Sequence, residues 1–161
     1  MSVDAELYVT DFIGWTEQQA RLLRAAAAQR IDFAPADGML DWNHLAEEVE
    51  CLGRSYRQAL AGRVGMVIEH LLQLEISPAD DLRAGWLDTI RRARNDMDGW
   101  LTNEPGLRQR LPELVAEQMP WMARRVAELL RAAGEPVEGV AARVQAGGYT
   151  VEQITGDWLP P

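Results

Sequence analysis

The chain has one cysteine, two histidines and two phenylalanines in 161 residues. The lone Cys51 excludes a disulfide within the chain. It also has no obvious histidine or lysine partner in sequence, so it reads as a buried structural thiol rather than a nucleophile. With only His44 and His70 available, the paired Glu-x-x-His motifs of di-metal helical bundles are absent. His44-x-x-Glu47 runs in the reverse order, and Glu69-His70 is adjacent rather than spaced. There is no glycine-rich phosphate loop, no nucleophile elbow and no Cys-x-x-Cys pair. No apolar run approaches the ~20 residues that a membrane-spanning helix needs. No strand-like alternation is long enough for a sheet, and no internal repeat or low-complexity segment is present. Basic charge is also scarce. The net charge of −9 opposes binding to phosphate backbones, whose affinity comes largely from lysine and arginine. The arginines lie in segments that also carry acids, without a dense basic run. Met1 to Asp11 holds three acids and no basic stretch, unlike a secretory signal. These absences point to a cytoplasmic protein that binds neither nucleic acid nor membrane.

What remains is an acidic chain of ordinary globular composition, 47% hydrophobic and 25% charged. Its length suits a single domain over residues 1–161 with a real core. Apolar spacing is helical throughout. A first helix is expected from about Asp4 to Arg30, with Leu7, Tyr8, Phe12, Trp15, Leu22 and Leu23 on its stripe. Pro35 and Gly38 mark a loop. Asp41 suits an N-cap, followed by a long stripe of Leu45, Val49, Leu52, Tyr56, Leu60, Val64, Val67, Leu71 and Leu74 that ends at Pro78. Gly53, Gly62 and Gly65 fall inside it: either they allow a kink, first of all near Gly53, or they let a neighbouring helix approach closely, and one long helix or two nearly collinear ones is the favoured form. A third helix from about Asp81 to Leu101 carries Leu82, Trp86, Ile90, Met97 and Leu101, with Arg91, Arg92 and Arg94 toward solvent. A fourth runs from about Leu107 to Ala133 with Leu111, Leu114, Met122, Val126 and Leu129, interrupted by Pro112 and Pro120 and stopped by Gly134. Pro136 to Ala146 suits a short helix. Thr150 and Gln153 fit a capping box on a last turn that would dock Trp158 and Leu159. The expected fold is all-α, an up-and-down bundle of four main helices plus a short C-terminal one.

Leu7-Tyr8-Val9-Thr10-Asp11-Phe12-Ile13-Gly14-Trp15 resembles the opening segment of the domain of unknown function 29 family. Leu45 with Glu47-Glu48-Val49-Glu50 and Leu52-Gly53 resembles its central signature. Glu69-His70-Leu71-Leu72, then Trp86 with Thr89 and Ile90, then Tyr149 to Ile154 with Pro160, resemble its later blocks in order. The resemblance implies an all-helical bacterial protein with no established activity. The chain departs from the family at Gln73-Leu74, where many members have Lys-Trp, and at Gly147-Gly148, where Cys-Pro is frequent.

The densest chemistry lies in Asp41 to Gly53. His44 can reach Glu47 or Glu48 at helical spacing, and Glu47 can align with Glu50. Trp42, His44, Glu47, Glu48, Glu50 and His70 are therefore the candidate functional cluster. Acids in a helix's first turns also simply complement its dipole. A divalent metal on His44, Glu47 and Glu50 is the alternative reading, for a metal-binding protein or metal-dependent enzyme; otherwise no cofactor is implied. On a straight helix His70 lies roughly 39 Å from His44, and only a sharp break near Gly53 would return it toward Glu47. Six tryptophans are present, and Trp42 and Trp100 fall off their stripes at helix ends, where aromatics anchor partners. The reading that leads is a non-enzymatic interaction or adaptor protein, with a protein partner or self-association.

Overall fold

A computed structural model describes residues 3–29 and 40–161. The expected loop at Pro35 and Gly38, and the Arg30 end of the first helix, lie outside the described residues. Among those described, all regular structure is helical. Helices α1 (Val3–Thr10), α2 (Phe12–Ala28), α3 (Trp42–Ile76), α4 (Arg83–Asn103), α5 (Leu111–Ala133), α6 (Glu138–Gln145) and α7 (Val151–Thr155) follow in order. Short 3-10 turns at Asp80–Leu82 and Pro105–Arg110 lead into α4 and α5.

The first helix is not continuous as expected. Asp11 leaves helical space, and its carboxylate accepts the Gly14 N–H at 3.1 Å. An aspartate in that geometry starts a new helix, so α1 and α2 are separate. α3 begins as expected, with Asp41 Oδ1 accepting the His44 N–H at 3.1 Å. It then runs unbroken through Gly53, the one long helix that was favoured. Pro112 lies in the first turn of α5, where its missing N–H costs nothing, and α5 continues through Pro120. Gly134 takes the left-handed conformation at φ 73°, and Glu135 N–H reaches back to the Leu130 carbonyl, a Schellman stop. Thr150 and Gln153 form the expected reciprocal capping box.

The chain divides into two compact units. One comprises residues 1–59 with 104–107, the other residues 60–103 with 108–161. In the first, α2 and the start of α3 run antiparallel. Phe12 meets Tyr56 at 5.2 Å between ring centroids, Thr16 lies against Gly53, and Arg24 reaches Glu50 at 2.5 Å. Gly106 joins this unit by packing so closely on the end of α1 that a Cβ would sit 1.9 Å from the Thr10 carbonyl oxygen.

The second unit has the larger apolar core. Leu60, Val64, Val67, Leu71 and Leu74 are buried along α3, with Ile90, Met97 and Leu101 on α4 and Leu111, Leu114 and Val126 on α5. Leu82 and Leu129, expected on buried stripes, are exposed, as is Leu159, which was expected to dock. Arg94, expected in solvent, is half-buried. Its guanidinium donates to the carbonyls of Gln153, Ile154 and Trp158 at 2.7–3.0 Å. Gln153 and Ile154 carry carbonyls that the end of α7 leaves unpaired within the helix, and Trp158 lies three residues beyond it, so Arg94 closes that end and ties the following segment to it. Burial pushes the pKa of its guanidinium down.

Candidate functional site

The apolar stripe of α3 keeps one period over its whole length, yet its two parts meet opposite fates. From Leu60 to Leu74 every member is buried. From Leu45 to Tyr56 the stripe is open: Leu45 is 39% exposed, Leu52 53% and Tyr56 41%, with Val49 half-buried. The residues buried there are Ala46 and Gly53. α2 repeats the pattern. Its large Phe12, Trp15 and Leu23 are half-buried and Leu22 is exposed, whereas Ile13, Thr16 and Ala20 are buried.

The cause is a seam of small residues. A Cβ at Gly53 would stand 2.0 Å from Thr16 Oγ1, so the helices approach closely only because position 53 has no side chain. The Thr16 hydroxyl donates to the Ile13 carbonyl at 2.7 Å, which satisfies it inside the seam. With the contact line taken by Thr16, Ala20, Ala46 and Gly53, the large residues fall to its flank. Leu45, Val49, Leu52 and Tyr56, at steps of four, three and four, form a row on α3. The antiparallel pairing sets this row beside Phe12, Trp15, Leu22 and Leu23.

One end of the face is aromatic. Tyr8 stands edge-on to Trp15 at 4.8 Å and to Phe12 at 5.6 Å, Phe12 stacks on Trp15 at 5.8 Å, and Tyr56 meets Phe12 edge-on. Tyr8 remains half exposed. Charge collects on the other flank of the seam. Arg24 and Arg54 both pair with Glu50, at 2.5 and 3.5 Å, and the hydrogen bond from Arg24 holds the Glu50 carboxyl below its usual range. The cavity beside them, lined by Glu17, Glu50, Arg54 and Arg57 among others, has only about 60 Å³. That is room for water and little more.

The residues of the candidate cluster have different surroundings. His44 is exposed and paired with the Asp41 carboxylate. That hydrogen bond raises the His44 pKa, while bonds from the His44 backbone and ring lower the Asp41 pKa. Glu47 and Glu48 are exposed, Glu50 is engaged by arginines, and Trp42 is half-buried. His70 is half-buried on the later part of α3, with Nδ1 donating to Gln73 Oε1 at 2.7 Å. The break at Gly53 that would have returned it toward Glu47 is absent. Among the described residues, no group of three or more His, Cys, Asp or Glu side chains is placed to hold a metal ion. Cys51, expected to be buried, is exposed, because the seam centred on Gly53 turns position 51 outward. No helix among the described residues is long and apolar enough to cross a membrane.

Sequence reasoning missed two features. Trp121 is 63% exposed, with Arg124 at 5.5 Å over its ring; its place off the α5 stripe was the available signal. Glu75 accepts from Arg143 Nε at 3.0 Å and from the Tyr149 hydroxyl at 2.7 Å, joining α3, α6 and the segment before α7. No local motif announces contacts so distant in sequence. Burial, aided by Glu75, pushes the Tyr149 phenol well up, and the bond to Glu75 raises the Arg143 pKa. An open cleft of about 600 Å³ runs beside this triad, lined by Ile76, Pro136, Glu138 and Gly139 among others. With Arg143 already committed to Glu75, the cleft offers neither a nucleophile with its base nor a free cation.

These features define an all-α protein whose N-terminal hairpin turns its large apolar residues outward. Residues 7–133 match the domain of unknown function DUF29, and the chain belongs to that family. The match spans the opening, central, histidine and Trp86 blocks and ends before Tyr149. No curated protein and no solved structure matches the chain.

Proposed function

We propose that this chain is an interaction protein, and that the apolar face of the α2–α3 hairpin is its docking surface. One observation carries the reading: a single helical stripe is buried from Leu60 onward and open from Leu45 to Tyr56. Contiguous apolar area of this kind marks partner sites more often than it marks idle surface. Rigid aromatic rings held against one another, as in Tyr8, Phe12, Trp15 and Tyr56, bring contact area at low entropic cost. Trp42 and Trp100, the anchors suggested by sequence, are half-buried; Trp100 packs under the Arg63 guanidinium at 5.8 Å. The binding residues are then Tyr8, Leu22, Leu45, Leu52 and Tyr56.

The test is capture from the native host with three forms of the full chain: wild type, Leu52→Glu, and Trp121→Ala as a control on the other unit. Association is expected with wild type and Trp121→Ala and is lost with Leu52→Glu. Absence of any association, with itself or with another protein, would overturn the reading. So would an association that Leu52→Glu leaves intact.

A further inference from the structure

We infer that the occupant of this face is a second copy of the same chain, two hairpins pairing face to face to close a four-helix bundle. The inference rests on the docking reading above and adds the identity of the partner. Three properties of the face argue for it. First, Leu45, Val49, Leu52, Tyr56 and Ala59 advance by four, three, four and three residues. That is the a/d spacing by which helices interlock side by side, and Ala59 is exposed like its neighbours. Second, the area is of the right order. At roughly 200 Å² for a fully exposed large side chain, the open fractions of Tyr8, Leu22, Leu45, Leu52 and Tyr56 give about 450 Å² of apolar surface. The half-buried flanking residues bring each copy toward the ~800 Å² per partner of a standard interface.

Third, the rows that make the face contain no charged residue, while Arg24, Glu50 and Arg54 pair with one another on the far flank. Charges select unlike partners, and the rows themselves have none to select with, the exposed Glu48 lying at their edge. An equally neutral apolar face fits it, and each copy supplies one. Homodimer interfaces are also the more apolar class, and a two-fold axis lets one patch serve both copies.

Net charge supplies a distinguishing sign. Two copies at −9 each repel at long range, and salt screens that repulsion. Self-pairing through the face therefore strengthens as salt rises, whereas docking of a basic partner on this acidic chain weakens. The experiment is sedimentation velocity of the full chain over a micromolar concentration series at low and high salt, with circular dichroism of each variant. Wild type is expected at twice the chain mass, more completely at high salt. Leu52→Glu is expected as monomer, and Leu22→Gln, on the other helix, weakens the dimer by roughly tenfold or more. Should Leu52→Glu disturb the fold, Leu22→Gln with intact helical signal carries the test. A wild type that stays monomeric at every concentration and salt overturns the self-pairing. If capture then still retains a Leu52-dependent protein, the docking surface stands and only the identity of its occupant falls. A dimer indifferent to both variants places the interface elsewhere and overturns the inference.

Discussion

Gly53→Ala and Gly62→Ala are the same chemical change within one helix, and they should move stability in opposite directions. Replacing an interior helical glycine by alanine gains about 1 kcal/mol of helix propensity. At Gly62 the new Cβ meets nothing within 4 Å, so the gain is kept. The melting temperature rises by roughly 2–4 °C for a chain of this size. At Gly53 the Cβ lands 2.0 Å from Thr16 Oγ1 and 3.2 Å from Thr16 Cβ. Either Thr16 rotates and gives up its bond to the Ile13 carbonyl, or α2 and α3 separate. Overpacking of this kind costs about 1–3 kcal/mol, and a buried hydroxyl left without its acceptor adds about 1 kcal/mol. The net is a loss of about 1–3 kcal/mol despite the better propensity. Thr16→Ala should relieve most of it, because the remaining Cβ contact at 3.2 Å needs only a small adjustment. Urea unfolding of the two single variants and the Thr16→Ala/Gly53→Ala pair gives the coupling directly. A Gly53→Ala protein as stable as wild type would refute the close approach, and with it the reason the large residues lie outside the seam.

The His44 ring should titrate above the ordinary histidine range in proton NMR and fall back in Asp41→Asn; an unchanged midpoint would remove Asp41 as the cause. The sign follows from the two shifts: the raised His44 contributes below its unfolded pKa and is lost as pH rises through its folded one. The lowered Asp41 contributes above its unfolded pKa and is lost as pH falls through its folded one, so the pair contributes fully between the two unfolded values and fades outward through the folded ones. Tyr149 has a raised phenol pKa, so its contribution is intact below the ordinary tyrosine value near ~10 and is lost as pH climbs beyond it. Tyr149→Phe should flatten that alkaline limb and cost about 1 kcal/mol at neutral pH; a limb unchanged in Tyr149→Phe assigns it elsewhere. Gly148→Ala should destabilise by about 1–2 kcal/mol, since φ is 76° and a Cβ would press on Met119 at 3.0 Å. A neutral effect in thermal melts would contradict that backbone geometry.

Helical periodicity was legible at once because it is local. The caps at Asp41, Gly134 and Thr150 were legible because each uses residues within a turn of one another. Periodicity says which residues share a face; it does not say what that face meets. Along α3 one unbroken rhythm runs from Leu45 to Leu74, and nothing in it marks where burial stops. Close approach at Gly53 was one of the two readings of that glycine; what was not read was the rest of the seam, whose signal is size. Thr16 and Ala20 sit a helical turn apart, Ala46 and Gly53 two turns apart, and small residues at such spacings let helices meet backbone to backbone. Glu50 was read as a possible metal ligand because its neighbours in sequence are acids. Its partner Arg24 lies across the hairpin, and only the antiparallel pairing reveals it. Arg94 and Glu75 were unreadable for the same reason, their partners being contributed by the last residues of the chain.

A seam of small residues has an energetic consequence for the unit that uses it. Apolar burial stabilises in proportion to area, about 25 cal/mol per Å², and the hairpin seals little beyond Ile13, Ala20 and Ala46. The second unit buries Leu60, Val64, Ile68, Leu71, Leu72, Ile90, Met97 and Leu114 to 1% exposure or less. α2 should therefore open more readily than α5, and its amides should exchange with solvent at a lower free energy. Whatever covers the hairpin face adds burial to the folded form alone and so stabilises it by mass action. Amide exchange of α2 should then slow as protein concentration rises, while exchange of the buried α5 segment stays constant. The same series with Leu52→Glu should show no concentration dependence. Equal protection of α2 and α5 at the lowest concentration would mean the hairpin is stable without help, and the exposed row from Leu45 to Tyr56 would need another explanation.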